Sequence, residues 1–175
     1  LALGITSAHD AGISQKVRNF YIDKAQKNEL NFRIYAMLSA TDPAILDMLK
    51  AGHYYDNNGF LSIRSVKAYG DGALGSRGAA LLTAYSDDPG NLGLLLTPQE
   101  RLPSLFNTIL GANFQLNFHA IGDRANRLAL LQFNDSFKIF PENTQRHRIE
   151  HAQVVAVEDI PLFKKYGIIP SMQPT

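Results

Sequence analysis

Short apolar, β-branched runs alternate along this chain with longer stretches whose apolar positions recur every three or four residues. Gly4 to His9 (GITSAH) predicts a strand. Ile13, Val17, Phe20 and Tyr21 fall at helical spacing and predict a helix over Ile13 to Glu29. Phe32 to Ser39 is the next strand. Asp42-Pro43 then offers a cap and a first-turn proline for a short helix carrying Ile45, Leu46 and Leu49, which Gly52 stops. Leu61 to Tyr69 is a third strand. Thr97-Pro98-Gln99-Glu100 reads as a capping box before Leu102, Leu105, Phe106 and Ile109, with Pro103 expected to kink or delay that helix. Strands at Gln115 to His119, Arg146 to His151 and Ile168 to Met172 alternate with helices at Asp123 to Phe133 and Glu158 to Tyr166, the latter closed by Gly167.

Six strands with helices mostly between them imply a parallel sheet, either doubly wound or a (β/α)8 barrel. The parity of polar positions separates the two. A strand covered by helices on both faces reads as continuously apolar. In QLNFH, Leu116 and Phe118 face one way, whereas Gln115, Asn117 and His119 face the other. Ser65 and Lys67 likewise share a face. A barrel interior that opens into a site at the C-terminal ends of its strands accounts for such a polar face. By the same alternation Lys67, His119 and His151 point inward. Glu150, on the opposite parity from His151, is expected to face the helices and pair with an arginine such as Arg148 or Arg124. The loop from Gly70 to Thr97 is too long to be a plain connector.

That loop opens with VKAYGDGALGSRG, in which Gly70, Gly72 and Gly75 spell G-x-G-x-x-G. As a dinucleotide fingerprint it would make the protein an NAD-dependent oxidoreductase. The fingerprint needs a helix, a second strand and an acid about 20 residues on. Only eleven residues separate Gly75 from Asp87, too few for a crossover helix and a strand. A non-catalytic α/β module with a flexible glycine loop is the bland alternative.

The chemistry-bearing residues then stand out. His119 and His151 each end an expected strand, 32 residues apart, about one βα unit. Neighbouring parallel strands would bring them within reach of one ion. A lone histidine is more often a hydrogen-bonded core residue; two at equivalent strand ends, with Lys67 at a third, favour a shared site. His53 reads as a surface residue, and His147 carries no clear signal. A lysine in a buried strand is costly unless paired, with Asp71 or Glu150 as available acids. Burial also favours a lysine's neutral amine, which can add CO2 and become an anionic two-oxygen ligand. Asp123, at the head of a helix, reads first as its N-cap.

Composition narrows the classes further. The 175 residues are 45% hydrophobic, with 19% charged residues and a formal net charge of +1, which gives no support for a nucleic-acid or membrane-surface protein held by bulk charge. There is no cysteine, so any metal must be held by His, Asp, Glu or a modified Lys.

GITSAHDAG, VKAYGDGALGSRGAAL, FHAIGDRA, RIEHAQ and SMQPT, in this order, resemble the YtcJ-like branch of the metal-dependent amidohydrolase superfamily (amidohydrolase family 3) over nearly the whole chain. The resemblance implies a partial (β/α)8 TIM barrel, about strands 2 to 7, forming one incomplete domain over residues 1–175 and lacking the first and last barrel strands. It implies a hydrolase of amide-type, non-peptide C–N bonds that uses one or two divalent ions, zinc first among them. Lys67, often carboxylated in the family, His119 and His151 would be metal ligands. Asp71 and Arg77 would be contacts for a small amide substrate. The family's H-x-H pair has no counterpart here. Its strand 8 aspartate, which shuttles the proton, would lie beyond Thr175, so the resemblance assigns no catalytic residue within this stretch. The expectation is a central piece of a longer enzyme, inactive alone, with open sheet edges that favour a homodimer. Of compartments, the cytoplasm is expected ahead of the periplasm.

Overall fold

The computed structural model describes residues 1–173. Pro174 and Thr175, which end the SMQPT motif, lie outside the described residues, and so does the aspartate expected beyond Thr175. The chain forms two compact units, Leu1–Ala68 and Tyr69 onward, the division falling at the end of a strand. In the first unit β1 (Ser7–Ile13), β2 (Arg33–Ser39) and β4 (Leu61–Tyr69) run parallel in that order, and a two-residue β3 (Tyr54–Tyr55) pairs antiparallel with β4. Helix α1 (Gln15–Gln26) starts where the Ser14 side chain accepts the Val17 N–H at 3.3 Å; α2 (Ile45–Lys50) follows β2. In the second unit β5 (Gln115–Ala120), β6 (Arg148–His151) and β7 (Ile169–Ser171) are parallel neighbours, alternating with α3 (Leu102–Gly111), α4 (Asp123–Ile139) and α5 (Ile160–Tyr166). Each expected strand and helix has its counterpart.

The departures have local causes. The first strand lies later than expected, because its pairing with β2 runs from Ser7 to Ile13. The expected capping box does not form. Thr97 instead donates its hydroxyl to the Tyr69 carbonyl at 2.6 Å, a 3-10 turn covers Gln99–Arg101, and α3 begins beside Pro103, which therefore delays the helix. Helix α4 extends six residues beyond Phe133, keeping Ser136 buried against the Asn107 side chain at 2.8 Å. The pair Tyr54–Tyr55 was too short to register as a strand.

Residue character, not burial, follows the alternation on β5, where Gln115 and Asn117 are buried as well. Leu116, Phe118 and Ala120 are fully buried, and the Phe118 ring packs 5.0 Å from Phe106 of α3, which lies 4.8 Å from Phe133 of α4. Burying each such ring is worth about 2–3 kcal/mol in transfer free energy. The other face is polar. Gln115 donates its side-chain amide to the Arg146 carbonyl, and Arg148 Nε donates to Asn117 Oδ1 at 2.8 Å.

The loop after β4 lies directly on the end of β5. The Gly70 N–H donates to the His119 carbonyl at 2.7 Å, and a Cβ on Gly70 would sit 2.6 Å from the Phe118 ring. Further on, the Ala80 carbonyl accepts from the first-turn amides Arg124 N and Ala125 N of α4, at 3.1 and 3.4 Å. A Cβ on Gly122 would approach the Ala80 oxygen to 2.0 Å. No such contact exists at Gly75, where a Cβ would meet nothing within 4 Å. In the complete protein Gly122→Ala should therefore cost about 3 kcal/mol or more. Gly75→Ala should fall within about 0.5 kcal/mol of wild type. Urea denaturation checks both, and equal costs would mean that backbone approach is not what these glycines serve.

Candidate functional site

The C-terminal end of β5 and the end of β6 bring two imidazoles into edge-to-face contact, the His119 and His151 ring centroids 4.5 Å apart. The route by which they meet differs from simple alternation. Parallel register pairs His119 with Glu150 and Ala120 with His151, so Glu150, not His151, lies on the His119 face. Arg148 confirms that face, since it reaches both Asn117 and, at 3.1 Å, Glu150 Oε1. Glu150 thus pairs with Arg148 as expected, but on the polar side of the sheet instead of against the helices. His151 joins His119 because its backbone leaves the strand conformation: φ is +79° at His151 and +44° at Ala152. A left-handed pair of non-glycine residues costs of order 1–3 kcal/mol each and persists where surrounding contacts enforce it. Here Ala152 N donates to the Ala120 carbonyl at 3.0 Å and Val154 N to the Ile121 carbonyl at 2.9 Å.

Two residues that the sequence reading did not single out support this turn. Asn126, fully buried, aims its side-chain N–H2 at the carbonyls of Gly122, Ala120, Val154 and Ile121, 2.9–3.4 Å away. It joins the start of α4 to the segment after His151. Its signal was legible: an asparagine on the face that carries Ala129, Leu130 and Phe133. Gln173 places its side-chain amide 3.0–3.1 Å from His151 Nδ1. Nothing in periodicity marks it.

The Asp71 carboxylate is fully buried and accepts three backbone N–H groups, from Ala80 (2.9 Å), Ile121 (2.9 Å) and Gly122 (2.8 Å). Its Oδ1 also lies 3.5 Å from His119 Nε2. Burial raises its pKa, and the three amides work against that rise. Asp123 is the first residue of α4, with Gly122 as the cap; its Oδ1 accepts the Leu82 N–H at 2.8 Å, a second fastening of the loop. Arg77, at φ +54°, forks onto Asp87 at 2.9 and 3.3 Å in an exposed pair. Lys67 belongs to the first unit, where it is 5% exposed, registers against Ser39 and accepts the Ala40 N–H on its carbonyl.

His147, unassigned by sequence, is a core residue packed against Phe133 and Phe137, with Nδ1 accepting the Leu116 N–H at 3.0 Å. His53 lies edge-on to Tyr55, 6.1 Å away. Among the described residues, no group of three or more His, Asp or Glu converges as a metal-binding cluster. The donor types nevertheless fit a divalent ion in kind: two touching imidazoles at adjacent strand ends provide nitrogen ligands. The nearby carboxylate is committed to backbone amides.

The sequence model of the amidohydrolase family (Amidohydro_3) matches residues 2–175, and the chain belongs to that family. It is 35% identical to Protein LONG AFTER FAR-RED 3 of Arabidopsis thaliana and 33% identical to the putative amidohydrolase YtcJ of Bacillus subtilis (strain 168), over 115 residues in each case. Those alignments cover 66% of this chain, and 20% and 21% of the relatives, so the matched part spans about a fifth of their length. Two crystal structures of uncharacterized metal-dependent hydrolases superpose on 99% of it, each with a TM-score of 0.83. They come from Pyrococcus furiosus (28% identity, 35% of that chain) and Pyrococcus horikoshii OT3 (30% identity, 34% of that chain). The chain thus has the expected partial (β/α)8 barrel fold. No helix among the described residues is long and apolar enough to cross a membrane.

The histidines make two outcomes measurable. Burial depresses the His147 pKa to about 4, below the unfolded value of 6.5. As pH falls through 6.5 the unfolded chain takes up a proton that the native state refuses. Stability present above pH 6.5 should therefore decline by about 3 kcal/mol down to pH 4. His147→Gln should flatten that slope in urea titrations run across the window. At His151, Gly tolerates the left-handed backbone, so His151→Gly should leave stability unchanged or raise it by about 1 kcal/mol. His119→Gly, in an extended strand, should lower stability by about 1 kcal/mol.

Proposed function

We propose that the protein containing this chain is a metal-dependent hydrolase of non-peptide C–N bonds in small amide-type substrates. The observation that carries the reading is the His119–His151 pair, held at adjacent strand ends by a strained turn, in a member of the amidohydrolase family. His119, His151 and Lys67, the last as a carbamate, would hold one or two divalent ions, zinc first. When bound, such an ion supplies Lewis acidity and lowers the pKa of a water. The chain's own residues position the donors: Asn126 and Gln173 fix the His151 turn and ring, and the Gly70 amide anchors the His119 carbonyl. Arg77, exposed on the loop, would meet a substrate by exchanging its Asp87 partner. With three of the ligands, this stretch of chain is proposed not to hydrolyse substrate by itself.

The nucleotide reading has lost its support. No helix follows the glycine pattern; the next helical turn begins only at Gln99. Two first-turn amides of α4, Arg124 N and Ala125 N, are occupied by the Ala80 carbonyl.

The test expresses the complete protein, measures metal by elemental analysis and assays hydrolysis across N-acyl and formamide substrates. One or two divalent ions per chain are expected. Lys67→Ala or His151→Ala should remove metal and reduce kcat/KM more than about a hundredfold, beyond the usual effect of a residue that only supports a ligand. Metal-free protein that shows a nucleotide-dependent thermal shift would overturn the reading.

A further inference from the structure

We propose that Asp71 is a positioning residue for His119: one buried carboxylate seats the glycine loop on the end of β5 and fixes which ring nitrogen of His119 carries the proton. The proposal deepens the metal-hydrolase reading and rests on it for its consequence.

The geometry gives Asp71 two tasks. Its oxygens are the acceptors for three backbone N–H groups contributed by two separate segments, Ala80 from the loop and Ile121 and Gly122 from the turn before α4. The same Oδ1 that takes the Ile121 amide lies 3.5 Å from His119 Nε2, long for a hydrogen bond but near enough for its charge to act on that nitrogen. Residue 70, next in the chain, donates its N–H to the His119 carbonyl. Consecutive residues of the loop therefore meet His119: Gly70 bonds its backbone carbonyl, and the Asp71 carboxylate faces its ring at 3.5 Å.

Loop fastening alone does not require that last contact. Asp123 fastens the same loop at Leu82 N with no histidine involved. A fully buried carboxylate repels a ring nitrogen that presents a lone pair and attracts one that carries a proton. Beside Asp71, neutral His119 therefore takes the Nε2–H tautomer, and Nδ1 is left with its lone pair. A partner that orients a ligating imidazole in this way typically changes metal affinity about 10–100-fold when removed.

The test begins with the wild-type, metal-free complete protein labelled with 15N-histidine. Long-range 1H–15N spectra, with the His119 signal assigned by its loss in His119→Gln, should show the Nε2–H tautomer in the neutral ring. The Nδ1–H tautomer would overturn the proposal, even in an enzyme that hydrolyses amides. Absence of hydrolase activity alone would leave the tautomer result in force, so the two readings fail separately. Metal affinity is then measured by zinc competition against a chromophoric chelator. Asp71→Asn should lose about 10–100-fold, whereas Asp123→Ala, which loosens the loop without touching His119, should keep wild-type affinity. Folded Asp71→Asn with unchanged affinity, or an equal loss in both variants, would reduce Asp71 to a loop fastener and refute the proposal.

Discussion

The second unit depends on one buried anion. Asp71 is removed from water, and three backbone amides from two separate segments converge on it. Burial still raises its pKa, which means that the amides offset the desolvation only in part. The arrangement is worthwhile because each of those amides would otherwise be a buried donor without an acceptor, at about 1–3 kcal/mol each. The loop after β4, the turn before α4 and the end of β5 are therefore fixed together, and the glycines follow from that. A side chain at Gly122 would enter the Ala80 carbonyl, and one at Gly70 would enter the Phe118 ring. Backbone must approach backbone before a single carboxylate can serve both segments.

His151 shows a second constraint, set by register. A parallel ladder fixes which residues share a face, and here it puts Glu150 beside His119. Bringing the next residue to the same place requires leaving the ladder, and the chain does so with consecutive left-handed residues. Asn126 ties that departure to the start of α4 by placing its side-chain N–H2 among the carbonyls of Gly122, Ala120, Val154 and Ile121. Strain of this kind at a strand end, next to a second imidazole, is more readily explained by a functional demand than by packing.

These features also mark what could be read without the structure. The βα alternation was legible because apolar period and glycine or proline punctuation agreed, and helix ends such as Gly167, with φ +68°, fell where expected. His119 was legible from strict alternation in QLNFH. His151 was reached by the same alternation, but the reason was wrong, because a sequence does not announce a positive φ on a histidine. The capping box at Thr97 misled for a related reason. Its hydroxyl satisfies the Tyr69 carbonyl, a tertiary demand that outweighs local helix capping. Gln173, and the Ile121 and Gly122 amides that meet Asp71, come from chain segments distant in sequence, and no local pattern encodes such meetings.

The G-x-G-x-x-G of the loop has a physical explanation that joins these observations. In a dinucleotide fold, glycines let backbone approach a phosphate held by amides at a helix N-terminus. Here the same requirements are met from within the protein. Amides at and just before the start of α4 hold an anion, but the anion is the Asp71 carboxylate, set between Gly70 and Gly72 of the pattern itself. The next amides, of Arg124 and Ala125, are taken by the Ala80 carbonyl. The pattern therefore does report an anion near a helix start. It does not report that the anion is foreign. What separates the cases is the residue between the first two glycines: an aspartate there supplies the negative charge that a nucleotide would otherwise bring, and the loop closes on itself beside the histidine that it orders.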